Sequence, residues 1–459
     1  MTTAHDKQAC TVVVGLGKTG LSVVRHLRAQ GTSVTVTDTR DTPPGLAALR
    51  ELAPEIIVRT GGLDARLLDD ANAIVVSPGV ALRGAFFDAA RARNLPVLGD
   101  IELFARAVRV PVVGITGTNG KSTVTTLVGR MAQRAGRRAR IGGNLGEPAL
   151  ELLDPNAELY VLELSSYQLD TTESLVLSAA VVLNVTADHL DRYASLSEYA
   201  ASKERIFRRC GTAVLNADDP QVAPMGALAQ RRLRFSLHPE ALADYTLLRH
   251  NGQEWLSRGT ERLLALSDMR LAGRHNAANA LAALALGEAL KLPRAAMLAE
   301  LREFAGLAHR TAWVAEIGGV RYIDDSKGTN VGATLAAIAG LDGPLLLIAG
   351  GDGKGQEFTP LAAALRGKVR LVLLIGRDAR VLGAALGCHA AIEYCDTLEA
   401  AVAAAARAAL PGDTVLLSPA CASLDMFRDY MHRGEAFAAA VHALPVTAPA
   451  NEPARGNAQ

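Results

Sequence analysis

Short apolar runs rich in valine, isoleucine and leucine alternate with helical stretches along the whole chain. The apolar runs predict strands at residues 10–14, 33–37, 73–76, 111–115, 159–163, 179–183, 321–323, 345–349, 370–375 and 414–417. The stretches between them predict helices at residues 21–30, 85–93, 122–135 and 197–207, with alanine-rich helices towards the end. Strand–helix alternation of this kind is typical of parallel sheets in α/β domains.

The strand–helix pattern restarts twice, which predicts three domains at residues 1–98, 99–308 and 309–459. We expect a Rossmann-like first domain, a central domain with a parallel sheet and a phosphate-binding loop, and a Rossmann-like third domain. The stretch 234–266 differs, because short strands alternate there around Asn251-Gly252, a hairpin signal. It predicts a small antiparallel excursion in the central domain. The tail after Leu444 is expected to be disordered.

Charge and cysteine content narrow the class of protein. The 459 residues carry 48 basic and 47 acidic side chains, a net charge of +1, so bulk electrostatics attract neither nucleic acid nor an anionic membrane. The five cysteines show no C-x-x-C pair, which indicates free thiols in a reducing compartment. The N-terminus lacks a signal peptide's apolar region, and no apolar run approaches the ~20 residues of a membrane helix. We expect a cytoplasmic monomer that binds neither nucleic acid nor membrane.

A glycine-rich loop lies between the strand predicted at 111–115 and the next helix. It reads Thr116-Gly117-Thr118-Asn119-Gly120-Lys121-Ser122-Thr123. This order of strand, loop and helix is the context of a P-loop, in which backbone N–H groups and the helix N-terminus surround phosphate. The strict pattern has glycine where this chain has Ile115, so the loop is a variant. We expect Lys121 to contact phosphate and Ser122 or Thr123 to offer a hydroxyl to Mg²⁺. The alternative is a glycine-rich turn with a solvated lysine.

A second glycine-rich loop, Gly15-Leu16-Gly17-Lys18-Thr19-Gly20, follows the first predicted strand. It matches G-x-G-x-x-G, and Asp38 ends the second strand, as in NAD-binding Rossmann domains. The motif is weak by itself, because any anion suits a helix N-terminus. A phosphorylated sugar nucleotide therefore fits as well as NAD. Ser77-Pro78-Gly79 makes another small-residue loop at the same sheet edge, with a simple tight turn as the alternative.

Carboxylates and one histidine follow strands of the central domain. Glu163 ends a predicted strand, and Asp188 and His189 follow the next one. Carboxyl ends of parallel strands form the ligand edge of a sheet, and Mg²⁺ prefers carboxylate oxygens, so Glu163 and either Asp188 or His189 are candidate ligands near the ATP phosphates. For His189 a structural role stays open. Lys203 lies beside Glu204 on the helix predicted at 197–207, where a solvated helix face is the simpler interpretation.

Two polar loops follow strands of the third domain. They are Asp324-Asp325-Ser326-Lys327 and Gly350-Gly351-Asp352-Gly353-Lys354-Gly355. The second presents one acid and one base from a glycine-rich loop, although an isolated loop of this kind is often only a turn.

Taken together, these segments resemble the Mur ligase family over nearly the whole chain. The resemblance rests on residues 116–123 (its ATP loop), 162–169 (its Mg²⁺ glutamate segment), 184–193 (its histidine motif), Gly273-Arg274-His275-Asn276 with Asn279 (its adenine-side helix), and His309-Arg310 with 322–329 (the start of its third domain).

Two features resemble the member of that family that adds D-glutamate to UDP-N-acetylmuramoyl-L-alanine. One is the first glycine loop with Asp38-Thr39-Arg40 and Ser77-Pro78-Gly79, and the other is the segment 417–427. The diaminopimelate-adding relative would show Asp-Asn-Pro-Arg in its third domain, which this sequence lacks. Two positions depart from the family pattern: Thr311-Ala312 replaces an apolar residue and glutamate, and Tyr430 stands where phenylalanine is common.

The resemblance implies an α/β ligase with three domains, which bind the uridine nucleotide, ATP and the amino acid in chain order, the third closing over the others. ATP would phosphorylate the substrate carboxylate, and the D-glutamate amine would attack the acyl phosphate. Catalysis is assigned to Lys121, Asn144, Glu163, His189 and Lys203. ATP binding is assigned to Gly117, Thr118, Asn119, Gly120, Lys121, Ser122, Thr123, Asn276, Asn279, Arg310, Asp325 and Lys327.

By the same resemblance, substrate binding is assigned to Gly17, Thr19, Asp38, Thr39, Arg40, Ser77, Gly79, Thr329, Lys354, Ser423, Leu424 and Tyr430. Mg²⁺, expected as two ions, is assigned to Ser122, Glu163, His189 and a carbamylated Lys203. The matching helix segment around Lys203 is Tyr199-Ala200-Ala201-Ser202-Lys203-Glu204-Arg205-Ile206. Carbamylation replaces a positive charge with a negative one and supplies two oxygens, the ligand type that Mg²⁺ prefers.

Three other functions remain as alternatives. An NAD-dependent dehydrogenase would bind nicotinamide and would not hydrolyse ATP. A ligase like folylpolyglutamate synthase would share the ATP loop but lack a uridine-binding first domain. A non-enzymatic nucleotide-binding module would bind ATP without turnover.

Overall fold

The computed structural model describes residues 10–188, 192–271, 273–341 and 343–445. They form two compact units. The first comprises the chain up to Val185 together with Ser195–Met269 and Ala277–Glu303, and the second comprises Thr186–Ala194, Arg270–Asn276 and the chain from Phe304. The tail predicted to be disordered lies, from residue 446, outside the described residues.

The first sheet, in the first unit, has five parallel strands in the order β3-β2-β1-β4-β5. The strands are β1 (Cys10–Val14), β2 (Ser33–Thr37), β3 (Val58–Arg59), β4 (Ala71–Val76) and β5 (Val97–Gly99). The helices are α1 (Lys18–Ala29), α2 (Leu46–Leu52), α3 (Ala85–Ala92) and α4 (Asp100–Ala107). The central strands bury valine and isoleucine against Phe86 and Phe87 of α3.

The second sheet, also in the first unit, has nine strands in the order β14-β13-β12-β11-β10-β9-β6-β8-β7. The strands are β6 (Val112–Thr116), β7 (Ala139–Gly143), β8 (Leu159–Glu163), β9 (Leu177–Val182), β10 (Cys210–Asn216), β11 (Arg231–Phe235), β12 (Tyr245–His250), β13 (Gln253–Arg258) and β14 (Glu261–Ala265). The helices are α5 (Lys121–Arg134), α6 (Ser166–Asp170), α7 (Leu196–Glu204), α8 (Arg274–Ala289) and α9 (Arg294–Glu303).

The antiparallel excursion predicted from Asn251-Gly252 is confirmed. β12 and β13 pair antiparallel, and His250 lies opposite Gln253 across the two-residue turn. Asn251 and Gly252 have φ values of 50° and 79°, the left-handed pair that a tight hairpin turn requires. β14 continues the antiparallel arrangement, whereas the strands from β7 to β12 are parallel.

The third sheet forms the second unit's core, with six strands in the order β15-β16-β20-β17-β18-β19. The strands are β15 (Ala312–Ile317), β16 (Val320–Asp324), β17 (Leu345–Gly350), β18 (Val369–Ile375), β19 (Ala391–Tyr394) and β20 (Thr414–Leu417). The helices are α10 (Val331–Gly340), α11 (Thr359–Leu365), α12 (Ala379–Leu386), α13 (Leu398–Ala408) and α14 (Tyr430–His442). All neighbours are parallel except β15 and β16.

The predicted α/β class is therefore confirmed, and the ten predicted strands all exist within two residues of their predicted ends. All five cysteines are free thiols. Within the part of the chain that the structure describes, no helix has the length and apolar character needed to cross a membrane.

Candidate active site

The phosphate loop joins β6 to α5. β6 continues through Ile115 and Thr116, so the strand occupies the position where a strict P-loop has glycine. The turn is made later, by Gly117 and Gly120, with φ values of +150° and +83°. A Cβ on Gly120 would lie 2.4 Å from Asn279 Oδ1, so a side chain there would collide with α8. The departure at Ile115 thus moves the turn without removing it.

Two lysines converge on one carbonyl oxygen of this loop. Lys121 Nζ donates to the carbonyl oxygens of Gly117 and Thr118, both at 2.9 Å. Lys203 Nζ, from α7, donates to the same Gly117 oxygen at 3.0 Å and lies 4.3 Å from the centre of the Tyr199 ring. Lys203 is 1% exposed, so the interpretation as a solvated helix face is wrong. Both ammonium groups lie where an anionic ligand would neutralise their mutual repulsion.

A carboxylate cluster lies beside the loop. Glu163, the last residue of β8, is 4% exposed. Ser122 Oγ, in the first turn of α5, donates to Glu163 Oε2 at 2.5 Å, and Asn144 Nδ2 donates to Glu163 Oε1 at 2.7 Å. The structure thus brings together three residues predicted from separate segments of the chain.

These oxygens suit a hard cation. The Ser122 hydroxyl and the Glu163 carboxylate are the ligand types that Mg²⁺ takes, and they lie beside the loop predicted to bind phosphate. Among the described residues, no group of three or more histidine, cysteine, aspartate or glutamate side chains is arranged to hold a metal ion. Such a site would therefore need oxygens from the phosphates, from water or from further side chains. His189, the other predicted ligand, lies outside the described residues.

The other predicted ATP-site residues before the third sheet lie in the loop, in the first turn of α5 and on α8. Thr118 and Asn119 complete the turn, and Thr123 is in the first turn of α5. Asn276 and Asn279 lie three residues apart on α8 and are 7% and 8% exposed. Buried amides at this spacing share one helix face and need partners there.

The glycine loop of the first sheet also lies at the carboxyl ends of its strands. Ser77 Oγ, after β4, donates to the Gly15 carbonyl oxygen at 3.1 Å. Gly17 caps α1, and a Cβ there would meet no heavy atom within 4 Å. The start of α1 is therefore open to a ligand, as an anion site requires. The other residues predicted here, Thr19, Thr39 and Gly79, lie in the first turn of α1, after β2 and after β4.

Asp38 is engaged by its own chain. It is 2% exposed; the Leu16 N–H donates to its Oδ2 at 2.7 Å, and Arg40 donates to both of its oxygens through Nε and Nη2. Although burial opposes the shift, these hydrogen bonds from Arg40 and the Leu16 N–H lower the pKa of Asp38 to about 2. In an NAD-binding domain this acid accepts the ribose hydroxyls. Here its oxygens are already taken, which disfavours the dinucleotide.

In the second unit, the loop after β16 carries several predicted ATP-site residues. The Thr311 N–H donates to Asp325 Oδ1 at 3.1 Å and Ser418 Oγ donates to Oδ2 at 2.7 Å. Burial raises the pKa of Asp325 to about 7. Lys327 Nζ lies 4.1 Å from the centre of the Tyr430 ring, so the tyrosine at a position where phenylalanine is common keeps an aromatic face for this lysine. Arg310 precedes Thr311 and is half-buried.

The predicted D-glutamate residues lie in three loops of the same unit. Lys354, in the loop after β17, has φ of 49°, and its Nζ lies 3.7 Å from Asp188 Oδ1. This lysine faces one of the protein's own carboxylates, and its contact with a carboxylate of D-glutamate stays a prediction. Ser423 is 4% exposed and Leu424 is 72% exposed in the loop after β20. Thr329 lies two residues after Lys327.

Arg433 was not predicted, and it joins two of these loops. It is 1% exposed on α14. Its guanidinium donates to Ser326 Oγ at 3.0 Å, to the Ser326 carbonyl at 2.8 Å and to the Cys421 carbonyl at 3.2 Å. An arginine in a helix normally predicts an exposed position, so its burial had no signal in the sequence.

Three family models match this chain, in chain order. They are described as Mur ligase MurD-like, N-terminal domain (residues 9–99), Mur ligase middle domain (115–287) and Mur ligase, glutamate ligase domain (309–421). The curated relatives include proteins named UDP-N-acetylmuramoylalanine–D-glutamate ligase. The one from Nitrosococcus oceani is 54% identical and covers 95% of this chain and 97% of the relative. The one from Pseudomonas aeruginosa is 49% identical, with 94% and 98% covered.

Solved structures share the fold at lower identity. UDP-N-acetylmuramate–alanine ligase MurC from Thermotoga maritima aligns with a TM-score of 0.61 at 19% identity, over 93% of this chain and 97% of that one. A pseudomurein peptide ligase type C from Methanothermus fervidus aligns with a TM-score of 0.59 at 19% identity, over 89% and 96%.

Proposed function

Since the chain belongs to the Mur ligase family, we propose that it is the ATP-dependent ligase that joins D-glutamate to UDP-N-acetylmuramoyl-L-alanine, releasing ADP and phosphate. It would act in the cytoplasm, as a monomer, in peptidoglycan precursor synthesis. The observation that carries the proposal is the phosphate loop with its cluster of Lys121, Ser122, Glu163 and Asn144, in a chain similar over nearly its whole length to ligases of that name.

The first sheet supports a uridine nucleotide over NAD. Gly17 leaves the start of α1 open to a phosphate group, while Asp38 is bound by the Leu16 N–H and by Arg40. A diphosphate needs only the helix N-terminus and backbone N–H groups, whereas an NAD ribose needs a carboxylate that can accept its hydroxyls. We therefore assign the uridine nucleotide to residues 1–98, ATP to 99–308 and D-glutamate to 309–459.

The proposed reaction has two steps, and the side chains of the site contribute by neutralising the negative charge of the phosphates. The γ-phosphoryl group of ATP passes to the substrate carboxylate, so an O–P bond breaks in ATP and another forms on the acyl oxygen. The amine of D-glutamate then attacks the acyl carbon, loses a proton, and inorganic phosphate leaves. Phosphoryl transfer depends on positioning and charge neutralisation, which Lys121 and the N-terminus of α5 supply. Mg²⁺ held by Ser122 and Glu163 would supply further positive charge when bound.

One assay tests the function directly. Phosphate release is measured with ATP alone, with UDP-N-acetylmuramoyl-L-alanine added, and with each amino acid in turn. We expect sustained release only when D-glutamate is present, and none with L-glutamate or meso-diaminopimelate, because a misplaced carboxylate would leave Lys354 or Ser423 unpaired. Equal turnover with L-glutamate would refute the assignment. Reduction of a nicotinamide cofactor would instead support the dehydrogenase alternative.

We also propose that Lys203 is carbamylated in the working enzyme. Lys203 and Lys121 both donate to the Gly117 carbonyl oxygen, so two ammonium groups lie close together, and Lys203 is buried. When the neutral Lys203 amine attacks CO₂, an N–C bond forms and a proton passes to water. The product is a carbamate, which turns the repulsion from Lys121 into attraction and offers oxygens to Mg²⁺.

Chemical rescue tests the carbamate. Lys203→Ala should lose most turnover, and added formate or acetate should restore part of it by occupying the vacated carboxylate position. Lys121→Ala serves as the control, because it removes a positive charge that no carboxylate can replace. In the wild-type protein, ¹³C-bicarbonate should give a carbamate signal that Lys203→Ala lacks. Full activity of Lys203→Ala would refute the proposal.

A further inference from the structure

We propose that Asn184 is a positioning residue that fixes the conformation of the phosphate loop and determines which of its N–H groups face the nucleotide. The inference rests on the ATP site proposed above. Asn184 follows the end of β9, the strand next to β6 in the second sheet, and belongs to the first unit, like the loop itself. No catalytic or binding role has been assigned to it so far.

The main chains of β6 and β9 stay paired beyond the end of both strands. The Leu183 N–H donates to the Thr116 carbonyl at 3.0 Å, and the Thr118 N–H donates to the Asn184 carbonyl at 2.9 Å. Gly117 makes this approach possible, since a Cβ there would lie 3.0 Å from Leu183 Cβ. The parallel ladder therefore extends into the first half of the phosphate loop.

The side chain of Asn184 then adds one more step to this ladder. The Asn119 N–H donates to Asn184 Oδ1 at 2.8 Å, and Asn184 Nδ2 donates to the Asn119 carbonyl at 3.1 Å. The side-chain amide thus pairs with the main chain of Asn119 in the way that a further peptide group of β9 would if the strand continued. The orientation of the amide is unambiguous, because a donor on Asn119 must meet oxygen and an acceptor must meet nitrogen.

This arrangement divides the loop into two halves. The N–H groups of Thr118 and Asn119 point to Asn184, so they are unavailable to phosphate oxygens. The first turn of α5 lies at the positive end of the helix dipole, which favours an anion. We assign phosphate binding to that turn, with Lys121, and we assign to Asn184 the task of holding the rest of the loop in place.

Isosteric substitutions at two strand ends separate this role from general stability. Asn184→Asp keeps the acceptor for the Asn119 N–H but sets a carboxylate oxygen against the Asn119 carbonyl and adds negative charge beside the phosphates. Asn216→Asp is the matched control: Asn216 ends the adjacent strand β10, is also half-buried, and its Nδ2 donates to the Leu183 carbonyl at 2.9 Å without touching the loop. Asn184→Ala removes both bonds without adding charge.

The measurements are the Kd for ADP with Mg²⁺ by calorimetry, the KM for each substrate, and the melting temperature. We expect Asn184→Ala to weaken ADP and ATP binding about tenfold, as for the loss of one to two net hydrogen bonds, and Asn184→Asp to weaken them more. The KM for the UDP substrate should stay within about twofold of the wild type, because that substrate is assigned to the first sheet and not to the phosphate loop. Asn216→Asp should bind ADP like the wild type, because the Asn216 side chain contacts the Leu183 carbonyl and not the loop.

ADP binding within twofold of the wild type in both Asn184 variants would refute the inference. An equal loss of ADP affinity in Asn216→Asp would refute it too, because a substitution at another strand end, away from the loop, would then have the same effect. If Asn184→Ala does not fold, the isosteric Asn184→Asp decides the question. Because ADP binding requires no amino acid, a wrong assignment of D-glutamate would appear in the turnover assay and leave this comparison intact.

Discussion

Two of the three glycines in the loop Gly15–Gly20, Gly17 and Gly20, should respond to alanine in opposite ways. Gly17 caps α1 with φ of −95° and ψ of −162°, a conformation that any residue adopts, and its Cβ would meet nothing within 4 Å. Gly20, three residues later, lies against the β1 end of the loop. A Cβ on Gly20 would lie 1.9 Å from the Gly15 carbonyl oxygen and 2.9 Å from its carbon.

The cost at Gly20 follows from this distance. A carbon and a carbonyl oxygen normally approach to about 3.3 Å. Gly20→Ala must therefore push α1 off β1 by more than an ångström, because the clashing atom is backbone and cannot rotate away. Overpacking of this kind costs about 1–3 kcal/mol, or more, and the better helix propensity of alanine returns at most about 1 kcal/mol. We expect a net loss of about 2 kcal/mol and a fall in melting temperature of about 3 °C.

Gly17→Ala should instead affect the ligand. Its melting temperature should stay within about 2 °C of the wild type, because replacing glycine by alanine at a helix cap costs at most about 1 kcal/mol. Its methyl group would occupy the space that the open loop leaves for a phosphate, so the KM for the UDP substrate should rise at least about tenfold while the KM for ATP stays unchanged.

Differential scanning calorimetry and initial rates on both variants provide the comparison. If Gly17→Ala leaves the KM for the UDP substrate unchanged, the substrate does not approach the start of α1. If Gly20→Ala melts like the wild type, α1 does not approach β1 this closely in solution.

Two further predictions concern the loop lysine and a buried acid. Lys121→Ala should abolish ATP-dependent phosphate release with little change in melting temperature, since it is a partly exposed loop lysine; near-normal turnover would exclude the loop from the mechanism. Asp100 is fully buried, accepts from Gln168 Nε2 at 3.0 Å, and burial raises its pKa to about 6. Its contribution to the free energy of unfolding is therefore fully present below about pH 4 and is lost as the pH rises through about 6. The total loss is no more than about 3 kcal/mol. Urea unfolding of Asp100→Asn should show a weaker fall over this range, and identical pH profiles would contradict the shift.

Local residue patterns were enough to predict many of the strands and one hairpin. Strands such as Cys10–Val14 and Leu159–Glu163 are mostly apolar runs without polar alternation, because a parallel strand is buried on both faces of its sheet. The hairpin at Asn251-Gly252 was readable because few residue pairs tolerate two left-handed conformations. By contrast, β3, with two residues, and the charged β11 have no such pattern, so they were not predicted.

The residues of the candidate site also fall into two groups, those predicted from a local motif and those placed only by tertiary contacts. Glycine spacing and one lysine were enough to predict a phosphate loop, because the motif lies within eight consecutive residues. Contacts between distant segments had no local signal. Helical position alone favoured a solvated Lys203, but folding buries it on the Gly117 carbonyl, 86 residues away in sequence. The amide of Asn184 and the guanidinium of Arg433 likewise acquire their roles only where separate strands and loops meet. Local sequence determines which backbone conformations have a low free energy. Tertiary packing determines which polar groups are removed from water and must therefore form hydrogen bonds with one another.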